Sequence, residues 1–331
     1  MPATLTRRKK PARKRGKRSI AEGISAAQPA SSAWKLRRRR GLTILESPAL
    51  ARLPWLLHGF STRPGGESAV PAAAPGEKPS AGALNLGFAE WDARERVLSN
   101  RKKFFAALGA APMRPVALRQ IHSDIVIRVD ARSLDASPEP PKGDALITSD
   151  PNLLLLVQTA DCIPILLADA RRHAVAAIHA GWRGTVHRIA EKTLGRMRME
   201  FGTRPEDVFA AIGPGIARCC YEVGHEVVAE FAAKFPQARD WFEGPFDALT
   251  GSDGDPNWLP WLTMRPPGHA PPPPRAMLDL FAANRAILHA AGVPAKNISA
   301  TGFCTASRTD LFFSYRRERT TGRLMAAIGI R

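Results

Sequence analysis

The sequence predicts a layered α/β domain of α+β character: one domain of mixed β-sheets flanked by helices, behind a disordered N-terminal tail. Three observations carry this expectation. Leu153–Val157, Ile163–Ala168 and Ala174–Ile178 are apolar runs of five or six residues bounded by polar and turn residues, the pattern of buried strands. Stretches of helical period are interleaved with such runs. Several successive strands have no helix between them, which favours mixed sheets over a doubly wound parallel sheet.

The chain of 331 residues begins with its most charged segment. Residues 1–40 hold fourteen of the 48 Lys and Arg and, in Glu22, one of the 30 acidic residues. The other 291 residues carry 34 basic and 29 acidic side chains, so the formal +18 belongs mostly to the start. Two basic clusters, Arg7–Arg18 and Lys35–Arg40, surround an Ala/Ser-rich spacer that has too little apolar surface to order itself. Residues 1–47 are therefore assigned as a basic tail and 48–331 as the folded body. Weak nucleic-acid contact by counterion release is expected of residues 1–42. An Arg-rich, acid-poor start also resembles an organelle transit peptide, and a plain solvated tail explains it as well.

The body opens at Leu53–Phe60. His58 to Gly66 is a turn-rich loop, and the Ala/Pro/Gly segment 67–82 reads as a flexible loop. Val97, Phe104, Phe105 and Leu108 form one face of a helix over Ala93–Leu108, closed near Gly109. Short strands follow at Ala117–Leu118, Ile125–Val129 and Asp144–Thr148. After the three central strands, the period changes: Val186, Ile189, Ala190, Thr193, Met197 and Phe201 place a helix from about Thr185. Val208–Ile212 reads as a strand, Glu226–Phe235 as a helix and Asp279–Ala291 as a helix closed by Gly292. Ile298–Phe303 and Leu324–Ile330 are closing strands. Residues 244–275, rich in Pro, Gly, Asp and Trp, read as a surface insertion or lid without a packed element.

Several function classes are excluded at this stage. No apolar run approaches the roughly 18 residues a membrane span requires. No GxGxxG follows a strand and no P-loop occurs. The four cysteines, at 162, 219, 220 and 304, include no CxxC pair and suit a reducing cytoplasm rather than a secreted disulfide scaffold.

The chemistry gathers at strand ends. His122 lies beside one strand, Cys162 between two, and His179 at the end of a third, ahead of a Gly-Trp-Arg-Gly turn. Two imidazoles and a thiolate suit zinc, and three protein ligands leave a fourth position open, as catalytic zinc requires. A Cys162 nucleophile with a His base fits the same residues.

Eight motifs recur in this order in one family: His58-Gly-Phe-Ser-Thr-Arg-Pro-Gly-Gly, Leu84-Asn-Leu-Gly, Gln120-Ile-His, Ala160-Asp-Cys-Ile-Pro, His179-Ala-Gly-Trp-Arg-Gly, Ile212-Gly-Pro-Gly, Cys219-Cys-Tyr-Glu-Val-Gly, and Phe313-Ser-Tyr-Arg-Arg with Thr321-Gly-Arg. From about Leu53 onward the chain resembles the YfiH/laccase-domain family, purine nucleoside phosphorylases long labelled polyphenol oxidases. The resemblance implies one zinc per chain, held by His122, Cys162 and His179. It also implies cytoplasmic phosphorolysis of adenosine, inosine and methylthioadenosine by inorganic phosphate, with adenosine deamination beside it. Some relatives are described as peptidoglycan editing factors. Editing of cytoplasmic peptidoglycan precursors, or Cys–His hydrolysis, is therefore the alternative. Copper polyphenol oxidation fits poorly, because the chain has 8 His and no His-x-His.

Phosphorolysis needs an anion site. Arg183 and Gly184, in a Gly turn feeding a helix, are one candidate. Arg63 in its Gly-rich loop and Arg316 in the C-terminal basic cluster are others. Asn85 and Gln120, inside two of the motifs, are assigned to substrate or phosphate binding with them. Cys162, His122, His179, Asp161 and Arg183 form the expected catalytic set. His187 reads as a surface or packing residue.

Overall fold

The computed structural model describes residues 34–72, 79–136, 139–250 and 275–331. Expectations for the first basic cluster, for its nucleic-acid contact, and for residues 251–274 of the Pro-rich stretch lie outside these residues.

The first half of the chain contains β1 (Lys35–Arg39), β2 (Leu42–Glu46), β3 (Leu56–Ser61), β4 (Pro64–Val70), β5 (Ser80–Ala83), α1 (Arg94–Leu108), β6 (Arg114–Ala117), β7 (Val126–Arg128) and α2 (Ala131–Ala136). The centre contains β8 (Ala145–Thr148), β9 (Leu153–Thr159), β10 (Ile163–Asp169), β11 (Ala174–Ala180), α3 (Trp182–Val186) and α4 (Ile189–Phe201). The remainder contains β12 (Val208–Ile212), β13 (Glu222–Val223), α5 (His225–Lys234), β14 (Phe242–Glu243), α6 (Phe246–Thr250), β15 (Ala276–Leu278), α7 (Leu280–Ala290), β16 (Ile298–Ala300), α8 (Tyr315–Glu318) and β17 (Leu324–Ile330).

Two six-stranded mixed sheets form the frame. Their orders are β1-β2-β3-β17-β9-β6 and β16-β12-β10-β11-β8-β7. Only β6·β9, β12·β16 and β7·β8 are parallel pairs within them. The sheets pack face to face. Leu155, Val157 and Ile328 of one sheet meet Leu166, Ala168, Val175 and Ala177 of the other in a common core. The outer faces are covered too. Ile165, Leu167, Ala176 and Ile178 pack with Leu194, Met197, Ile287 and Leu288 from α4 and α7. Leu154, Leu156 and Ala327 pack with Phe104 and Leu108 of α1. A strand covered on both faces must be apolar at every position, which is why the central runs show no alternation.

Helix ends follow local chemistry. Gly109 closes α1 in the left-handed conformation, φ 78°, where a side chain would be strained. The Asp279 carboxylate caps α7 by accepting the Ala282 N–H at 2.9 Å.

Four expectations are corrected. The tail boundary at 47 falls too late, because β1 and β2 pair antiparallel and β2 pairs with β3. The Arg run misled: β1 is exposed throughout, whereas Leu42, Ile44 and Leu45 of β2 are buried. Segment 67–82 is not all loop, since β4 pairs with β5 and buries Val70 beside Phe312 and Phe313. The helix expected from Thr185 is two. Arg188 breaks it at φ 60°, held by a bond from its guanidinium to the Lys234 carbonyl and by stacking on Phe235. Within 244–275, α6 is a packed element that buries Leu249, and β15 begins at Ala276, just past the end of that stretch.

Candidate metal centre

Strand register brings the centre together. β10 and β11 pair with Pro164 opposite His179 and Ile163 opposite Ala180. Cys162, just before β10, therefore stands at the same sheet end as His179, near the end of β11. β8 pairs with β11 with Ala145 opposite Ile178, so Asp144 also arrives there. The ligand atoms of His122, Cys162 and His179 all lie within 4.8 Å of one another, and this group can hold a metal ion. Cys162 Sγ is 4.0 Å from His122 Nε2, and the two imidazoles meet edge to face at 4.9 Å between centroids. His179 is buried, Cys162 half-buried and His122 exposed, which leaves one open side. Gly181 keeps the space clear: a Cβ there would stand 3.0 Å from Cys162 Sγ and 3.4 Å from His122 Cδ2.

Asp144 organises the group, and the sequence reading assigned it only to a strand. Its carboxylate receives His179 Nδ1 at 2.8 Å, which turns His179 Nε2 inward. It also accepts the N–H groups of Ile121, His122 and Ser123 at 3.3, 3.1 and 2.6 Å, and the Ser123 hydroxyl at 2.7 Å. These bonds hold His122 at φ 58°, a left-handed conformation that costs on the order of 1–3 kcal/mol without such support. Burial alone would raise the Asp144 carboxyl, but the bonds from His179 and Ser123 outweigh it and hold the pKa at about 2. The available signal was a carboxylate opening a strand whose other residues are all buried and almost all apolar.

Cys162 and His179 polarise each other. Burial would raise the thiol, but the His179 charge and the His122 contact prevail and lower it to about 6. Burial would lower His179, but the Cys162 charge and the Asp144 bond raise it to about 9.

The other expected residues divide. Asp161, at φ 92°, braces the turn that carries Cys162: Thr305 Oγ1 and the Arg316 N–H donate to its carboxylate at 2.7 and 2.6 Å. Gln120 exchanges two 2.8 Å bonds with the Gln158 backbone and so fixes the His122 loop to β9. Asn85 is buried and spends its amide on Gly87, Asp92 and the Arg323 N–H. Arg63 is joined to Glu318 and covers Phe313, so its charge is already matched. Arg316 gives two guanidinium nitrogens to the Glu222 carbonyl, each at 3.0 Å, and lies over Tyr221. Gly184 is not at a helix start but inside the five-residue α3, and the Thr185 N–H already donates to Gly181. Arg183 is exposed, lies over Trp182 at 4.4 Å, and has no carboxylate partner among the described residues. His187 is exposed, with Lys234 Nζ 3.3 Å from its Nδ1. Tyr221 was not anticipated. Burial raises its hydroxyl above the ordinary range; negative charge at Cys162 and Asp161 adds to this, while Arg316 and Arg183 oppose it.

Among known proteins, the family described as multi-copper polyphenol oxidoreductase laccase matches residues 57–331. A purine nucleoside phosphorylase from Deinococcus radiodurans is 38% identical over 291 residues, 88% of this chain and 94% of that protein. Adenosine deaminase RL5, from an unknown prokaryotic organism, is 37% identical over 227 residues, 67% of this chain and 77% of that protein. The crystal structure of the Bacillus licheniformis hypothetical protein YfiH superposes with a TM-score of 0.71 at 29% identity, over 90% of this chain and 99% of that one.

Proposed function

The chain belongs to this laccase-domain family, and from that premise we propose that it is a zinc-dependent purine nucleoside phosphorylase. Adenosine, inosine and methylthioadenosine are its expected substrates, cleaved by inorganic phosphate to the free base and the ribose 1-phosphate or its methylthio counterpart. Relatives named purine nucleoside phosphorylase support the activity. Adenosine deamination is proposed as a second reaction at the same centre, in line with the relative named for it. The free thiols suit a reducing cytoplasm, where we place the enzyme.

One observation carries the reading: two imidazoles and a thiolate converge on one point, with Asp144 behind His179. This donor set fits zinc, and three protein ligands leave an open position, as catalytic zinc sites do. A multicopper assembly needs more histidine than this centre offers. Bound there, zinc would supply Lewis acidity to the substrate.

The chain's own residues supply the rest. Phosphate attacks the anomeric carbon while the C–N bond to the purine breaks, and the bond's electrons pass to the departing base. Arg183, with no carboxylate partner among the described residues, holds the phosphate; preorganised charge of this kind is effective because it needs no rearrangement during the step. Tyr221 stays protonated and can donate a hydrogen bond to the reacting groups. Asp161, Gln120 and Asp144 fix the turns that carry Cys162 and His122.

The test is incubation with adenosine or inosine, with and without phosphate, followed by chromatography of the base. Base release that requires phosphate and yields ribose 1-phosphate is expected. Release that ignores phosphate would make the protein a hydrolase. The juxtaposition of Cys162 and His179, whose mutual charge lowers the thiol and raises the imidazole, supports one second reading, Cys–His hydrolysis of a cytoplasmic peptidoglycan precursor. Absence of turnover with any purine nucleoside would favour it.

A further inference from the structure

The three cysteines outside the His122–Cys162–His179 group form a cluster of their own. Cys219 and Cys220 sit in the turn between β12 and β13, and Cys304 follows β16. Their three Sγ atoms lie within 4.8 Å of one another, although Cys220 and Cys304 are 84 positions apart in the chain. The fold closes the gap through a parallel bridge between Gly215 and Cys304 and a bond from the Thr305 N–H to the Gly215 carbonyl at 2.9 Å.

Two hydrogen-bond donors face the sulfurs. The Ala217 N–H donates to Cys304 Sγ at 3.4 Å, and Arg317 Nη2 is 3.9 Å from Cys220 Sγ. Arg317 is itself anchored, its Nε donating to the Ala306 carbonyl at 2.9 Å. One backbone N–H on Cys304 and one fixed guanidinium on Cys220 would offset part of the negative charge of a metal thiolate site. Cys304 is buried, Cys220 half-buried and Cys219 exposed, so the cluster has a seat and an entrance.

We propose that Cys219, Cys220 and Cys304 bind one thiophilic d10 metal ion, of the Cu(I) or Zn(II) class. With metal–sulfur bonds of about 2.3 Å, three sulfurs around one trigonal ion stand about 4 Å apart. The Cys219–Cys220 separation of 3.6 Å and the 4.8 Å limit of the group bracket that spacing. The ion ties the 215–221 segment to the 304–306 segment. Thr305 in turn holds Asp161, beside Cys162, so the ion braces the turn that carries the catalytic thiol.

The test uses full-length metal-stripped protein and does not depend on the phosphorylase reading. Cd(II) is titrated as the probe for the zinc class, with thiolate-to-metal absorption as the readout. Cu(I) is titrated against a chromogenic chelator as the other arm. The Cys162→Ser protein should still take up about one ion per chain with thiolate absorption in at least one arm, because its three-sulfur seat is intact. Cys162→Ser/Cys219→Ser should lose that uptake, and exposure of Cys219 makes this variant the safer partner to the buried Cys162→Ser/Cys304→Ser. The arm that binds identifies the metal class. Absence of thiolate absorption from Cys162→Ser in both arms, or its persistence unchanged after removal of Cys219 and of Cys304, would overturn the proposal.

Discussion

The Asp144 carboxylate lies 2.8 Å from His179 Nδ1, and the same carboxylate takes the backbone N–H of His122. One side chain thus orients two of the three residues of the centre, one through its ring and the other through its main chain. Outer partners of this kind typically cost 10–100-fold in metal affinity or activity when removed. Asp144→Asn should therefore lose zinc on dialysis against a chelator that leaves the wild type loaded. Its circular dichroism should stay native. Wild-type zinc retention would refute the orienting role.

The direct ligands should show a sharper effect. Zinc content should fall by about one ion per chain in Cys162→Ser and in His179→Ala, because each leaves an incomplete donor set. Chelation of the wild type should abolish phosphorolysis, and added zinc should restore it. Elemental analysis alongside turnover checks both, and zinc undiminished in both variants would sink the assignment.

Arg183→Ala should be nearly silent in folding, since the side chain is exposed and touches mainly Trp182. Turnover should fall by about 10²–10³, the usual cost of removing one preorganised anion contact. The saturation curve for phosphate should shift more than that for nucleoside. An unchanged phosphate dependence would place the anion elsewhere.

His58 predicts an acid-side loss of stability. Burial lowers its pKa from 6.5 to about 4, and the nearby Arg39 charge adds to this. The folded chain thus refuses a proton that the unfolded chain accepts below pH 6.5. Its neutral form is stabilising above 6.5, and the contribution is lost as pH falls towards 4, by on the order of 3 kcal/mol at most. Denaturant titrations across that window should give a shallower slope for His58→Gln than for the wild type.

The boundary of the body gives a fifth prediction. A chain beginning at Ser47 lacks β1 and β2 and with them the buried Leu42, Ile44 and Leu45. Loss of even one such side chain costs about 2–5 kcal/mol. The melting temperature should drop steeply or the product should fail to fold. A fully stable truncated protein would show that the two strands are dispensable.

The strands and helices that were legible in the sequence are those whose signal is local. Strands β9, β10, β11 and β17 read directly, because burial on both faces makes each a continuous apolar run. The period and flanking Gly of α1 fixed it nearly to the residue. His122, Cys162 and His179 were identifiable by residue chemistry and strengthened by motif order. By itself, then, the sequence determined the layered mixed-sheet class and named three members of the centre. Tertiary structure decided what depends on partners distant in the chain. It set the register that brings Asp144 to His179, across 35 positions. It paired Arg63 with Glu318 across 255 positions and left Arg183 without a carboxylate partner among the described residues. It drew the basic stretch Lys35–Arg39 into a sheet, because the neighbouring β2 buries its apolar side chains against the body. Hydrophobic period reports which face of an element is covered, whereas the partner of a charge is fixed only when non-adjacent elements pack and exclude water.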